Sequence, residues 1–95
     1  MQRPLSDYVR AAADAAGVPD EMVMSAIRRH DLAHYRQAAM ALAHRDGWTM
    51  PQVGRAFGGR DHTTVHFAVR KFEEGRIARQ VAAVTAELTG QEAFL

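Results

Sequence analysis

The chain has 95 residues and no cysteine, which allows one domain and excludes a disulfide scaffold, a thiol nucleophile and thiolate metal sites. Its 47% apolar content fits a folded globular domain, and no stretch approaches the ~20 consecutive apolar residues of a membrane span. The net charge of +1 conceals a segregation. Residues 1–24 carry two Arg and four acids (net −2), residues 25–72 carry eight Lys/Arg and three acids (net +5), and residues 73–95 carry two Arg and four acids (net −2).

All five histidines also fall in the middle segment. A basic centre between acidic flanks attracts phosphate even when the total charge is near zero. The opening Met1-Gln2-Arg3-Pro4 leads into mixed residues rather than an apolar leader.

Apolar residues recur at helical spacing throughout and strand-like alternation is absent, so the expectation is an all-α bundle of about six helices forming one domain over residues 1–95. A first helix is expected over residues 6–16, with Ser6 as N-cap, Asp7 in the first turn and Gly17 as the stop. A short second helix starts at Pro19, with Met22, Val23 and Ile27 as its apolar positions. Arg28-Arg29-His30-Asp31 reads as a basic loop. A third helix covers residues 32–45, where Tyr35, Ala38, Ala39 and Leu42 line one face and Gly47 follows the end.

The fourth helix, residues 49–57, has the clearest start. Thr49 and Gln52 have the spacing of a capping box, and Trp48 and Val53 that of a hydrophobic staple. Gly58-Gly59 ends it. A fifth helix starts at Asp61, a good N-cap, and continues to residue 74. Val65, Ala68, Val69 and Phe72 form its core stripe, and His62, Thr63, His66, Phe67, Arg70 and Lys71 lie opposite. Gly75 interrupts the chain. A last helix over residues 76–88 packs Ile77, Val81, Val84 and Leu88, a 4-3-4 stripe read as cover for the domain's own core rather than a dimer seam.

Two helices joined by a short turn through Gly58 and Gly59 have the shape of a helix-turn-helix. In that motif the start of the second helix enters the major groove. Here that start carries Arg60, Asp61, His62, Thr63 and Thr64. Arg60 suits a phosphate, His62 and the threonines suit base edges, and Asp61 suits a cytosine amino group as well as capping. On spacing alone, a purely structural hairpin stays open beside DNA binding. Other readings are weaker. Gly54 through Asp61 has part of the spacing of a phosphate-binding loop, but Arg60 replaces its lysine, Asp61 replaces its hydroxyl and no strand precedes it. His30/His34 and His62/His66 have i, i+4 spacing without a third ligand and read as surface or DNA-facing residues. Neither His30-Asp31 nor Asp61-His62 has the partner or pocket that acid–base catalysis needs. No enzyme, cofactor or metal site is expected.

Phe57-Gly58-Gly59-Arg60-Asp61-His62-Thr63-Thr64-Val65 resembles the signature of the C-terminal DNA-binding domain, domain IV, of the bacterial replication initiator family DnaA. The resemblance extends to Arg36-Gln37-x-Ala39-Met40-x-Leu42-Ala43, to Pro51-x-Val53-Gly54-x-x-Phe57 and to Arg70-Lys71-Phe72-Glu73, and spans about residues 5–88. It departs at His34-Tyr35, where the family has Arg-Pro, at His44, where the family has a basic residue, and at His66-Phe67, where the family reads Leu-His.

The resemblance implies sequence-specific binding of duplex DNA at A/T-rich DnaA boxes, with Asp61, His62 and Thr63 reading bases. It implies Arg60, Arg36 and Gln37 at the backbone, Thr64 steadying a phosphate, His44 as a further DNA-binding residue, and Arg28 in the adjacent minor groove, a place that favours arginine. No segment here supplies the ATPase module of the family. The chain therefore reads as a standalone protein, cytoplasmic and nucleoid-associated, without a membrane partner. It is expected to act as a monomer that occupies such sites, regulates replication or transcription, and competes with the full-length initiator. An excised domain stays open. The rival from another class is a protein-interaction module that binds the initiator or another replication factor without reading DNA.

Overall fold

The computed structural model describes residues 2–27 and 29–92, which form six helices and no strand: α1 Leu5–Ala16, α2 Asp20–Met24, α3 His30–Arg45, α4 Met50–Ala56, α5 His62–Glu73 and α6 Ala78–Glu92. The all-α expectation holds, and the differences lie at element ends.

Helix α1 begins one residue early, at Leu5, and Ser6 is not its cap. Pro4 already holds the extended φ/ψ of a cap, and its carbonyl accepts from Asp7 N–H at 3.0 Å, so Ser6 is inside the first turn. The helix closes with two bonds around Gly17, from Gly17 N–H to Asp14 O and from Val18 N–H to Ala13 O, the paired arrangement that satisfies the last carbonyls. Helix α2 is only five residues long, with Pro19 as the residue before it rather than its first. The Ser25 hydroxyl donates to Met22 O at 2.7 Å and the chain turns extended there. Ile27 therefore falls outside the helix and is 45% exposed, not an apolar position of α2.

Helix α3 starts at His30 with the extended Arg29 before it, so His30 and Asp31 belong to the helix and not to a basic loop. From Ala38 to Ala43 every residue of α3 is buried, which makes it the central rod of the bundle. Helices α1, α5 and α6 pack around it. Tyr8, Leu32, Met40, Leu42, Phe57, Ile77 and Val84 are among the buried side chains of the shared core. Two long-range bonds secure the corner between α1 and the α3–α4 connection. Tyr8 OH donates to Asp46 Oδ2 at 2.6 Å, and Trp48 Nε1 donates to Arg3 O at 3.0 Å.

Helix α6 starts at Ala78 instead of Arg76. Gly75 takes a left-handed φ of 72° and Arg76 N–H donates to Lys71 O, so residues 74–77 are a turn that finishes α5. Ile77, Val84 and Leu88 are buried in the domain's own core, as the stripe implied. The helix continues past Leu88, and Gln91 Nε2 donates to Asp7 O at 3.2 Å, tying its last turn to α1.

Candidate nucleic-acid interface

The expected signals of α4 and α5 are realised atom by atom. Gln52 N–H donates to Thr49 Oγ1 at 3.3 Å and Thr49 N–H donates to Gln52 Oε1 at 2.9 Å, a complete capping box. Trp48 packs against the core that holds Val53, consistent with a staple. After Phe57 the chain reverses through Gly58 (φ 92°) and Gly59 (φ 77°), and Arg60 N–H closes the turn on Gly54 O at 2.8 Å. Gly54 is buried at this crossing, where a Cβ would run into the carbonyl of Arg60. The close approach of α4 to the start of α5 therefore requires glycine there.

Asp61 caps α5. Its Oδ1 accepts from Thr63 N–H at 2.8 Å and lies 3.2 Å from His62 Nδ1. Those Thr63 hydrogen bonds hold the Asp61 carboxyl below the usual carboxylate range. It is thus an ionised acceptor at neutral pH. Val65 and Ala68 are buried against the domain, with Val69 and Phe72 half-buried beside them. Asp61, His62, Thr63, Thr64, His66, Phe67 and Arg70 are all exposed. Thr63, Phe67 and Arg70, at i, i+4 and i+7, run down the middle of the outward face.

The two arginines expected at the DNA backbone are turned inward. Arg36 is only 6% exposed. It donates through Nε to Val23 O at 2.6 Å and through Nη2 to Met22 O and Ser25 O, each at 3.4 Å. Arg60 donates through Nη2 to Ser25 O at 2.6 Å and through Nη1 to Phe57 O and, at 3.5 Å, Met24 O. Among the described residues no carboxylate is within ion-pair distance of either. Burial, and then the charge of Arg60, pushes the Arg36 guanidinium down to about 10, and burial lowers Arg60 as well. Both remain cations at neutral pH.

Between these arginines, the loop after α2 and the start of α5 lies an open cleft of about 850 Å³, with Ile27, Arg29, Gln37, Arg60 and Thr64 on its walls. Arg29, beside the cleft, pairs with Asp31 at 2.9 Å, which lowers the Asp31 carboxyl. Gln37 Oε1 accepts from Lys71 Nζ at 3.3 Å, tying α3 to α5. His44 stands apart, two turns further along α3. Its Nδ1 is 2.9 Å from Trp48 O, and since a carbonyl only accepts, Nδ1 carries the proton. Arg28 lies outside the described residues. The structure thus brings Arg60, Asp61, His62, Thr63, Thr64, Gln37 and Arg36 together around one cleft and helix start. It leaves His44 at the far end. Among the described residues no three His, Asp or Glu side chains converge as metal ligands, and no helix is long and apolar enough to cross a membrane.

Sequence reasoning did not anticipate the acceptors Met22, Val23 and Ser25. They act through backbone carbonyls, which every residue has, so no side-chain pattern announces them.

A capped helix carrying an exposed polar start, set across a glycine turn from a shorter helix and beside a cationic loop, defines the helix-turn-helix class of DNA-binding domain. Residues 7–72 match the family model described as the bacterial dnaA protein helix-turn-helix, and the chain belongs to that family. It is 36% identical over 92 residues to the chromosomal replication initiator protein DnaA of Caulobacter vibrioides, covering 90% of this chain and 19% of that protein. It is 40% identical over 79 residues to the DnaA of Rhodopseudomonas palustris (82% and 16%) and 36% identical over 69 residues to that of Thermus thermophilus (72% and 16%). The chain spans less than a fifth of the length of these relatives.

Proposed function

We propose that this chain binds duplex DNA sequence-specifically at A/T-rich sites of the DnaA-box kind, and that it regulates replication initiation or transcription by occupying them. The observation that carries this reading is the start of α5. Asp61, His62, Thr63 and Thr64 are exposed together on a capped helix that the glycine turn projects from the core. Asp61 accepts from an exocyclic amine, His62 and Thr63 meet base edges, and Thr64, on the cleft wall, meets a phosphate. By the family resemblance Arg28 enters the neighbouring minor groove.

Arg36 takes a different part from the one the family resemblance implied. Its donors already serve three carbonyls, so it is a positioning residue that holds residues 22–25 against the helix-turn-helix. Arg60 does the same while keeping a place on the cleft wall, where a phosphate can use its remaining donors. Gln37 lines the cleft and is held by Lys71, and His44, near the end of α3, is a separate DNA contact.

Fluorescence anisotropy with a labelled duplex carrying a DnaA box, beside a scrambled duplex, at two salt concentrations tests the reading. Tighter binding to the box supports it and makes competition with a full-length initiator the next experiment. Equal, salt-sensitive binding to both contradicts the site preference while keeping DNA binding. No binding at low salt rejects the reading and favours a module that binds the initiator or another replication factor.

A further inference from the structure

Phe67 is the most exposed large apolar side chain among the described residues, at 56%. It stands in the middle of the outward face of α5, one turn after Thr63 and one before Arg70, with the His66 ring centroid 6.2 Å from its own. Nothing in the domain's packing explains it, because the core side of α5 is taken by Val65 and Ala68. Its neighbours on the face are a hydroxyl, an imidazole and a guanidinium, so it is a single apolar group in polar surroundings and not part of a broad apolar patch of the kind that docks proteins.

We propose, resting on the DNA-binding reading above, that Phe67 is a specificity-determining residue that packs on the C5-methyl of a thymine in the major groove. The thymine methyl is the apolar feature that base pairs present in that groove. The groove is about 12 Å wide and admits a helix, and Phe67 is only about 6 Å along the axis from Thr63, so both reach its floor in one docking. Arg70, on the same face, supplies the charge that holds this second turn against the backbone. Phe67 adds a preference for thymine at a position distinct from those read by Asp61, His62 and Thr63.

The test uses a duplex that the whole chain selects from a random pool, with each thymine replaced in turn by deoxyuridine. That exchange removes one methyl and leaves every hydrogen-bonding group in place. At one thymine the unmodified protein is expected to lose about fourfold in affinity, the worth of one buried carbon. Phe67→Ala is expected to bind the original duplex at least that much more weakly and to be indifferent to uracil at that position. Phe67→Leu should recover part of both the affinity and the thymine preference. Because the side chain is exposed, all three proteins should melt alike. If Phe67→Ala keeps every thymine preference, or binds as tightly as the unmodified protein, or if the selected duplex has no thymine whose methyl matters, the inference is overturned while DNA reading stands. Failure to select any duplex overturns both together.

Discussion

Arg36 and Arg60, one from the central helix and one from the turn before α5, converge on a single acceptor, the carbonyl oxygen of Ser25. Two guanidinium groups of like charge lie side by side, Arg36 buried and Arg60 half-buried, with only carbonyl oxygens as partners among the described residues. Such a pair is costly to desolvate, as the lowered values of both groups register. What the arrangement provides is a fixed placement of the loop after α2 relative to the helix-turn-helix, so that both present one surface.

The first prediction isolates that role. Arg36→Lys keeps the charge but replaces a planar fork with a compact ammonium that cannot span three carbonyls. Leaving acceptors without their donor should cost about 1–2 kcal/mol, or roughly 5–10 °C in melting temperature for a domain of this size. DNA affinity should fall for specific and scrambled duplexes alike, since no base contact is lost. A variant with unchanged melting and unchanged binding would remove Arg36 from the positioning role.

The two turn glycines should respond differently. Gly58 has a positive φ, and a Cβ there would also strike the carbonyl of Met24. Gly59 has a positive φ with open space around it. Gly58→Asn should therefore destabilise by about 2–4 kcal/mol, combining left-handed strain with forced displacement of the loop. Gly59→Asn should cost no more than about 1 kcal/mol, because asparagine tolerates that conformation. Chemical denaturation of the two variants decides. Equal costs would mean that the contact with Met24 does not constrain the turn.

How far the sequence could be read depended on the reach of each interaction. The capping box of Thr49 and Gln52 and the cap of Asp61 on Thr63 operate within three residues, so their spacing declares them. The stripe of Val65 and Ala68 follows from helical periodicity, and it correctly separates the buried side of α5 from the exposed one. Ser6 had the right chemistry for a cap, but Pro4 had already set the backbone one residue earlier. Ile27 continued an apolar rhythm, but the Ser25 hydroxyl ended the helix first. The inward turn of Arg36 and Arg60 was least legible. Their shared acceptor, Ser25 O, is a backbone atom 11 residues from Arg36 and 35 from Arg60, while the chemistry of Arg60 and the family resemblance at Arg36 both pointed outward to phosphate.

The bond from Tyr8 to Asp46 gives the fold an alkaline limit. Burial first, and then the neighbouring Asp46, raise the Tyr8 phenol above its ordinary value of 10.0. The fold thus favours the neutral phenol. That stabilisation is complete below about pH 10 and is lost as pH rises through the higher folded-state value. Tyr8→Phe should be less stable near neutrality by about 1–2 kcal/mol, the worth of a hydrogen bond to a charged group. The gap should narrow in denaturation experiments taken progressively above pH 10. A gap that stays constant across that range would show that Tyr8 does not ionise on unfolding.

The last prediction separates reading from holding on α5. His62 and Thr63 are exposed at its first turn, which the proposed function sets against base edges, whereas Arg70 is exposed two turns on, where in the same docking a cation would face the backbone. His62→Ala and Thr63→Ala should each cost about 1–3 kcal/mol on the preferred duplex and little on a scrambled one, so the two curves draw together. Arg70→Ala should weaken both duplexes by a similar factor and lower the slope of log affinity against log salt by about one, the signature of a lost phosphate contact. Neither class should change the melting temperature much, since no core contact is removed. Anisotropy titrations over a salt series for the three variants give both quantities at once. If Arg70→Ala erased discrimination while His62→Ala left it intact, the part of α5 around Arg70, and not its N-terminal end, would be the part that reads the bases.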